Sequence, residues 1–208
     1  KGVEIGRRHY PGSPFMNGPI NGKDVFVPLD AIIGGPDMAG RGWRMLIECL
    51  GAGRGVSLPA LATASGEMGY RMTGAFGRIR RQFNTAVGEF EGVQEASADV
   101  AALAYTLRIA RALDNQDQEH ERLLARLATP VGKYWICKRP PNHAYEAMEC
   151  IGGSGVMEDC IMPRLLRESP VNAIWEGSGN VQCLDTLRAL QKEPDTLDAF
   201  FSEAAEAR

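Results

Sequence analysis

The chain has 208 residues, 44% of them hydrophobic, with 23 basic against 26 acidic side chains and a net charge of −3. That is enough apolar material for one domain, or one domain and a piece of another, and it excludes a disordered chain. The slightly acidic balance argues against a general polyanion binder, and five cysteines, an odd number with no Cys-x-x-Cys pair, point to a reducing compartment and not to a disulfide framework.

The first forty residues are rich in Gly and Pro. Asp24-Val25-Phe26-Val27-Pro28 reads as a short buried strand stopped by Pro28, and Ile32 to Pro36 as a turn. Residues 1–40 are therefore expected to be the last strands of a β-domain, since a pair of strands does not fold alone. From Gly40 the period changes. Trp43, Leu46, Ile47 and Leu50 predict an amphipathic helix, and the stripe resumes at Leu61, Ser65, Met68, Met72 and Phe76. Between them lies Gly51-Ala52-Gly53-Arg54-Gly55. It follows a helix pattern and not a strand, which argues against a nucleotide-binding glycine loop and for a close helix crossing, or a kink where a ligand passes.

Arg78, Arg80 and Arg81 close this helix, where cations are favourable. A second helix is predicted from Phe90 to Leu113 on Val93, Val100, Leu103 and Leu107. A third starts near Gln118 and carries Leu123, Leu124, Leu127, Val131, Tyr134 and Trp135, with fresh starts or kinks at Pro130 and at Pro140-Pro141. The segment from Ala144 to Ile151 stops at Gly152-Gly153-Ser154-Gly155, and residues 156–175 read as irregular. A fourth helix places Val181, Leu184, Leu187 and Leu190 on one stripe, and residues 193–208 read as an acidic, loosely held tail. The expected fold is mainly α, an antiparallel four-helix bundle over residues 41–192. No uninterrupted apolar run is long enough to span a bilayer. The opening lacks a signal peptide and reads as the continuation of a longer chain. The three histidines are far apart, and no metal site is expected.

One junction stands out. In Val171-Asn172-Ala173-Ile174-Trp175-Glu176-Gly177-Ser178-Gly179-Asn180 a carboxylate lies between a bulky apolar run and a small-residue turn, just before a helix start. Ile174 and Trp175 are expected to shield Glu176 from water, and the glycines admit a close ligand. Free N–H groups at the helix start and the Ser178 hydroxyl could bind a polar group. The residues alone leave two readings open: an ordinary junction with a solvated glutamate, or a poised carboxylate.

Three stretches together resemble the acyl-CoA dehydrogenase family. Arg80-Arg81-Gln82-Phe83 is similar to its Arg-x-Gln-Phe signature, Glu149 to Gly155 to its Gly-Gly flavin loop, and Trp175 to Asn180 to its catalytic-glutamate turn. The resemblance covers essentially the whole chain. Residues 2–102 look like the large bacterial β-oxidation acyl-CoA dehydrogenases. Residues 107–190 look like the alkylation-response branch, close to isovaleryl-type enzymes.

The resemblance implies FAD as cofactor and α,β-dehydrogenation of an acyl-CoA thioester. It further implies an electron-transfer acceptor, itself a flavoprotein, a homo-oligomer and a bacterial cytoplasmic setting. It implies that residues 1–40 end a middle β-domain, and that this chain is a fragment inactive alone. Glu176 would be the α-proton base and Gly177 would border the substrate. Arg54 matches an arginine near the substrate, although a surface charge fits it equally. Arg80, Gln82 and Phe83 would reach the flavin diphosphate and adenine across a subunit interface. Gln94, Gly152, Gly153, Ser178 and Asn180 would complete the flavin contacts.

Some branches carry the base on the first helix of this domain, but Gly51 to Arg54 offers no carboxylate. Glu91 and Glu149 stand where glutamines are usual, and Asn84 where glycine is usual. The alternative is a DNA-associated flavoprotein with little dehydrogenase activity. The acidic tail and the lack of a free basic surface disfavour it.

Overall fold

The computed structural model describes residues 2–10, 16–90 and 101–206. The chain divides into two units, Lys1–Leu50 and Gly51–Arg208. In the first, β1 (Val3–Ile5) pairs antiparallel with β2 (Ile20–Gly22), with Val3 opposite Gly22 and Ile5 opposite Ile20. The strand expected at Asp24 to Pro28 does not form. Lys23 donates the last ladder bond to the Gly2 carbonyl, and Asp24 then takes a left-handed φ of 51°, which turns the chain out of the ladder. Phe26 is left almost fully exposed. None of the described residues in this unit is buried, so its hairpin has no core of its own.

α1 (Gly42–Ala52) lies where the periodicity placed it. The glycine run, read as a break, is a π-helical turn at Gly53–Ser57, and α2 (Leu58–Ile79) follows directly. Gly42–Ile79 therefore counts as 38 residues of helix, long and apolar enough by length and composition alone to cross a membrane, which the sequence reading had not anticipated. The core helix of a bundle meets the same criterion. Beyond α2, β3 (Arg81–Gln82) and β4 (Thr85–Ala86) form a hairpin whose two-residue tip is Phe83 and Asn84, both left-handed.

The remaining helices are α3 (Ala101–Asp114), α4 (Glu119–Lys138), α5 (Pro140–Ile151), α6 (Met162–Glu168), α7 (Gly179–Lys192) and α8 (Asp195–Glu206). The start of the second predicted helix, with Val93 and Val100, lies outside the described residues. α4 runs through Pro130 without interruption. α5 begins on Pro140 and Pro141 because a proline in the first turn lacks only an N–H that has no helical partner. Two expectations are overturned. Residues 162–168 are helical and bury Met162 completely. Residues 195–206 are no loose tail: α8 buries Thr196 and Ala199 and lays Phe200 on the cluster of Ile109, Ala112, Leu124, Ala125 and Ala128.

α4 is the central strut, touching α2, α3, α7 and α8. The buried faces differ from the predicted stripes. α2 buries Ala62, Gly69, Thr73 and Gly77, and leaves Leu61 and Met68 outside. α3 buries Ala102, Thr106, Ile109 and Ala112 but exposes Leu103 and Leu107. α7 buries Gln182 and Ala189 while Val181, Leu184 and Leu187 face out. The reason is close approach. A Cβ built on Gly69 would already touch His143 and Ala147 of α5, so only small side chains fit between these helices.

Polar ties close the bundle. Arg108 on α3 donates to Glu121 of α4 at 2.6 Å and to Glu203 of α8 at 2.6 Å. Arg122 and Arg126 of α4 pair with Glu193 and with Asp185 of α7. The hydrogen bond from Arg108 holds the Glu203 carboxyl below the usual glutamate range. That stabilisation is complete above the ordinary glutamate pKa of about 4.3 and is lost as pH falls through the lower folded value. Arg108→Met removes the guanidinium from both Glu121 and Glu203, leaving Glu203 only the more distant His120 ring. It should cost about 2–4 kcal/mol at pH 7 and flatten the loss of stability between about pH 5 and pH 3, as read by thermal melting.

Candidate active site

The turn at Glu176 is built by three elements. A 3₁₀ segment, Ser169–Ala173, delivers the chain, and α7 begins at Gly179 after the extended cap residue Ser178. Glu176 has a left-handed φ of 54° and Gly177 a φ of 108°. A non-glycine residue rarely rests there without outside support. The support comes from α4 and α7. The Lys133 ammonium, itself 1% exposed, donates to the Trp175 carbonyl at 3.1 Å and the Gly177 carbonyl at 2.9 Å. The Gln182 amide, equally buried, donates to the Gly177 carbonyl at 3.0 Å and the Glu176 carbonyl at 3.4 Å. Burial lowers the Lys133 pKa, opposed by the nearby Cys137 and Glu176. Burial also pushes the Cys137 thiol up to about 11.

The Glu176 carboxylate lies against the π turn. A Cβ on Gly53 would stand 3.1 Å from Glu176 Oε2, so the missing side chain there makes the room. That oxygen is buried and has no hydrogen-bond partner among the described residues; the same holds for Arg54 Nε, one residue on, and Thr129 Oγ1, which a Cβ on Gly55 would touch. Buried polar atoms in this state are uncommon and usually mark a place for water or a ligand. Trp175 packs against the core cluster of Leu58, Ala62, Ala102, Ile136 and Cys137. Ile174, expected to shield Glu176, is 64% exposed, because the turn sends it outward.

The other sequence candidates fall into two groups. Arg54, Gly177, Ser178 and Asn180 gather near Glu176, on the π turn and at the start of α7. The Ser178 side chain makes no capping bond. Arg80, Gln82 and Phe83 lie on the hairpin at the far end of α2, which spans 22 residues and hence about 33 Å. Gly152 and Gly153 belong with that end, since Ile151 packs with Met72 and Phe76. Phe83 is 91% exposed, and a Cβ on Gly152 or Gly153 would meet no atom within 4 Å. One chain therefore does not bring the two groups together.

Two of the departures from the family pattern are accommodated. Asn84 takes the left-handed conformation that a glycine would, which asparagine tolerates better than most residues. Glu149 is exposed and accepts a bond from the Tyr145 hydroxyl. Gln94 and Glu91 lie outside the described residues.

Sequence reasoning missed Lys133 and Gln182. The signal for Lys133 was present: a cation three residues from Pro130 and Ile136 and four from Cys137, on the buried face of α4.

Residues 40–191 match the family model described as acyl-CoA dehydrogenase, C-terminal domain. The chain belongs to the acyl-CoA dehydrogenase family. It is 63% identical over 76 residues to Protein HemX of Proteus mirabilis, a stretch covering 36% of this chain and 45% of that one. It is 52% identical over 101 residues to AidB of Escherichia coli (strain K12), whose name places it among acyl-CoA dehydrogenases; this covers 49% of the chain and 18% of AidB. The matches thus span less than half the length of either relative. Among solved structures, the FAD complex of PigA superposes with a TM-score of 0.76 at 21% identity, over 91% of this chain and 49% of that one, and shares the fold.

Substitution should separate the strained glycine from the open one. A Cβ on Gly177 would lie 2.5 Å from the Gln182 amide, at a φ unfavourable to any side chain. Gly177→Ala should lower stability by about 1–3 kcal/mol, whereas Gly153→Ala should stay within about 0.5 kcal/mol. Denaturant titration of the two variants checks this.

Proposed function

We propose that the chain supplies the base-bearing C-terminal helical part of a flavin-dependent acyl-CoA dehydrogenase. The reaction is α,β-dehydrogenation of an acyl-CoA thioester, and Glu176 is the group that takes the α-proton. One observation carries this reading: the Glu176 carboxylate oxygen is buried beside the π turn with no partner among the described residues, on a turn whose carbonyls are tied from two helices. A carboxylate so held keeps a lone pair for a substrate proton and loses little freedom on reaction. The Glu176 N–H is a donor available to the thioester oxygen, where negative charge develops as the proton leaves.

The residues present fit a flavin. The exposed hairpin offers an aromatic ring and the fork of Arg80, which suits a diphosphate, and the Gly152–Gly153 backbone is open to close approach. A flavin bound there would supply the two-electron acceptor for the β-hydride. Because the hairpin and Glu176 lie at opposite ends of α2, the hairpin of one copy serves the glutamate of another. The outward apolar row Val181, Leu184 and Leu187 suits such a homo-oligomer. The FAD complex with the same fold supports the cofactor, and the family supports the substrate class.

The test is Glu176→Gln in the flavin-loaded dehydrogenase that carries this chain. The amide keeps the shape but cannot accept a proton at neutral pH. Flavin and acyl-CoA should bind as before, while anaerobic bleaching of the flavin on mixing should slow by about 10²–10⁴-fold or more. Bleaching within about threefold of wild type would place the base elsewhere.

A further inference from the structure

Lys133 is not among the groups assigned to substrate or flavin, yet its side chain is almost completely buried. Its ammonium meets two carbonyls, those of Trp175 and Gly177, which flank Glu176 on either side. Gln182 takes up the carbonyl between them and shares that of Gly177. Three successive carbonyls are thus held by donors from α4 and α7, while the side chain of the middle residue lies against Gly53. Glu176 has a φ that a free chain would abandon. Charge-assisted bonds are the stronger kind and can maintain it.

A buried ammonium also has few alternatives. Its desolvation is tolerable only where oxygens surround it, so the lysine and the turn stabilise each other. A lysine that served the bundle alone would be met equally well by helix-end carbonyls or by a carboxylate. Here the bonds go to the two residues beside the proposed base.

We propose that Lys133 is a positioning residue: its ammonium clamps the carbonyls on both sides of Glu176 and holds that carboxylate against the Gly53 turn. The proposal rests on the reading of Glu176 as base for its catalytic meaning, but not for its geometry.

Amide hydrogen exchange of the 208-residue chain tests the clamp without flavin or substrate. Lys133→Met should raise exchange across residues 174–178 by roughly tenfold or more, a local opening rather than global unfolding. Lys133→Gln keeps one donor and should fall between that variant and wild type. Should Lys133→Met fail to fold, Lys133→Gln carries the comparison. Arg126→Ala is the control, since it cuts an α4–α7 ion pair away from the turn. It should leave exchange at 174–178 within about twofold of wild type. A flat response in the Lys133 variants, or an equal rise in Arg126→Ala, overturns the clamp.

In the flavin-loaded dehydrogenase, Lys133→Gln should slow flavin reduction by about tenfold or more, with the KM for acyl-CoA nearly unchanged. A merely weakened bundle would lose flavin and substrate affinity together, and that result counts against the proposal. The two ideas fail separately. If exchange rises but Glu176→Gln reduces flavin normally, the clamp stands and the base is elsewhere. If exchange stays flat while Glu176→Gln is inactive, the base stands and the clamp falls.

Discussion

An ammonium sealed inside a helical bundle must be surrounded by oxygen, and around Lys133 the structure meets that need with a turn. The helix carbonyls of α4 are occupied by its own ladder. The oxygens come instead from Trp175 and Gly177, on a segment that is not helical and so has carbonyls to spare. Meeting the lysine sets the backbone of that segment, including the left-handed Glu176. The π turn completes the arrangement from the other side, where Gly53 leaves room for the carboxylate that the turn projects. Charge burial, backbone conformation and the position of one carboxylate are thus a single constraint.

Around this centre the helices meet through small residues. Ala62, Gly69 and Gly77 on α2, Ala102 and Ala112 on α3, and Ala189 on α7 are buried, while leucines and methionines on the same helices face outward. Close-set helices gain dispersion contacts along their backbones but bury less apolar surface per residue. The ion pairs of Arg108, Arg122 and Arg126 tie the outer helices to α4. The Arg122 and Arg126 pairs are more exposed than the Arg108–Glu121 pair, so their value lies more in fixing which helix meets which than in raw stability. Large apolar residues are left outside, and the hairpin carries its aromatic ring into solvent.

α2 also sets a distance. Within one chain Glu176 and the Phe83 hairpin lie towards opposite ends of α2, and a helix of 22 residues holds them about 33 Å apart along its axis. The tip of that hairpin exposes Phe83.

The sequence by itself determined several of the helices and some of their limits. Periodicity located α1, α4 and α7, the prolines marked the start of α5, and Gly152 marked its end, because each depends on local backbone chemistry. The motifs also sufficed to point to the family. Tertiary structure decided which faces are buried. The stripes at Leu103, Leu107, Leu184 and Leu187 were read as core, yet the core took the small residues beside them, since interhelical distance is a property of two helices at once. It decided that residues 195–206 are a docked helix, because Phe200 and Glu203 find their partners on α3 and α4, far away in sequence. It decided the role of Lys133 as well. A lysine among apolar neighbours shows only that a charge must be met; which oxygens meet it depends on a turn forty residues on, brought close by the fold alone.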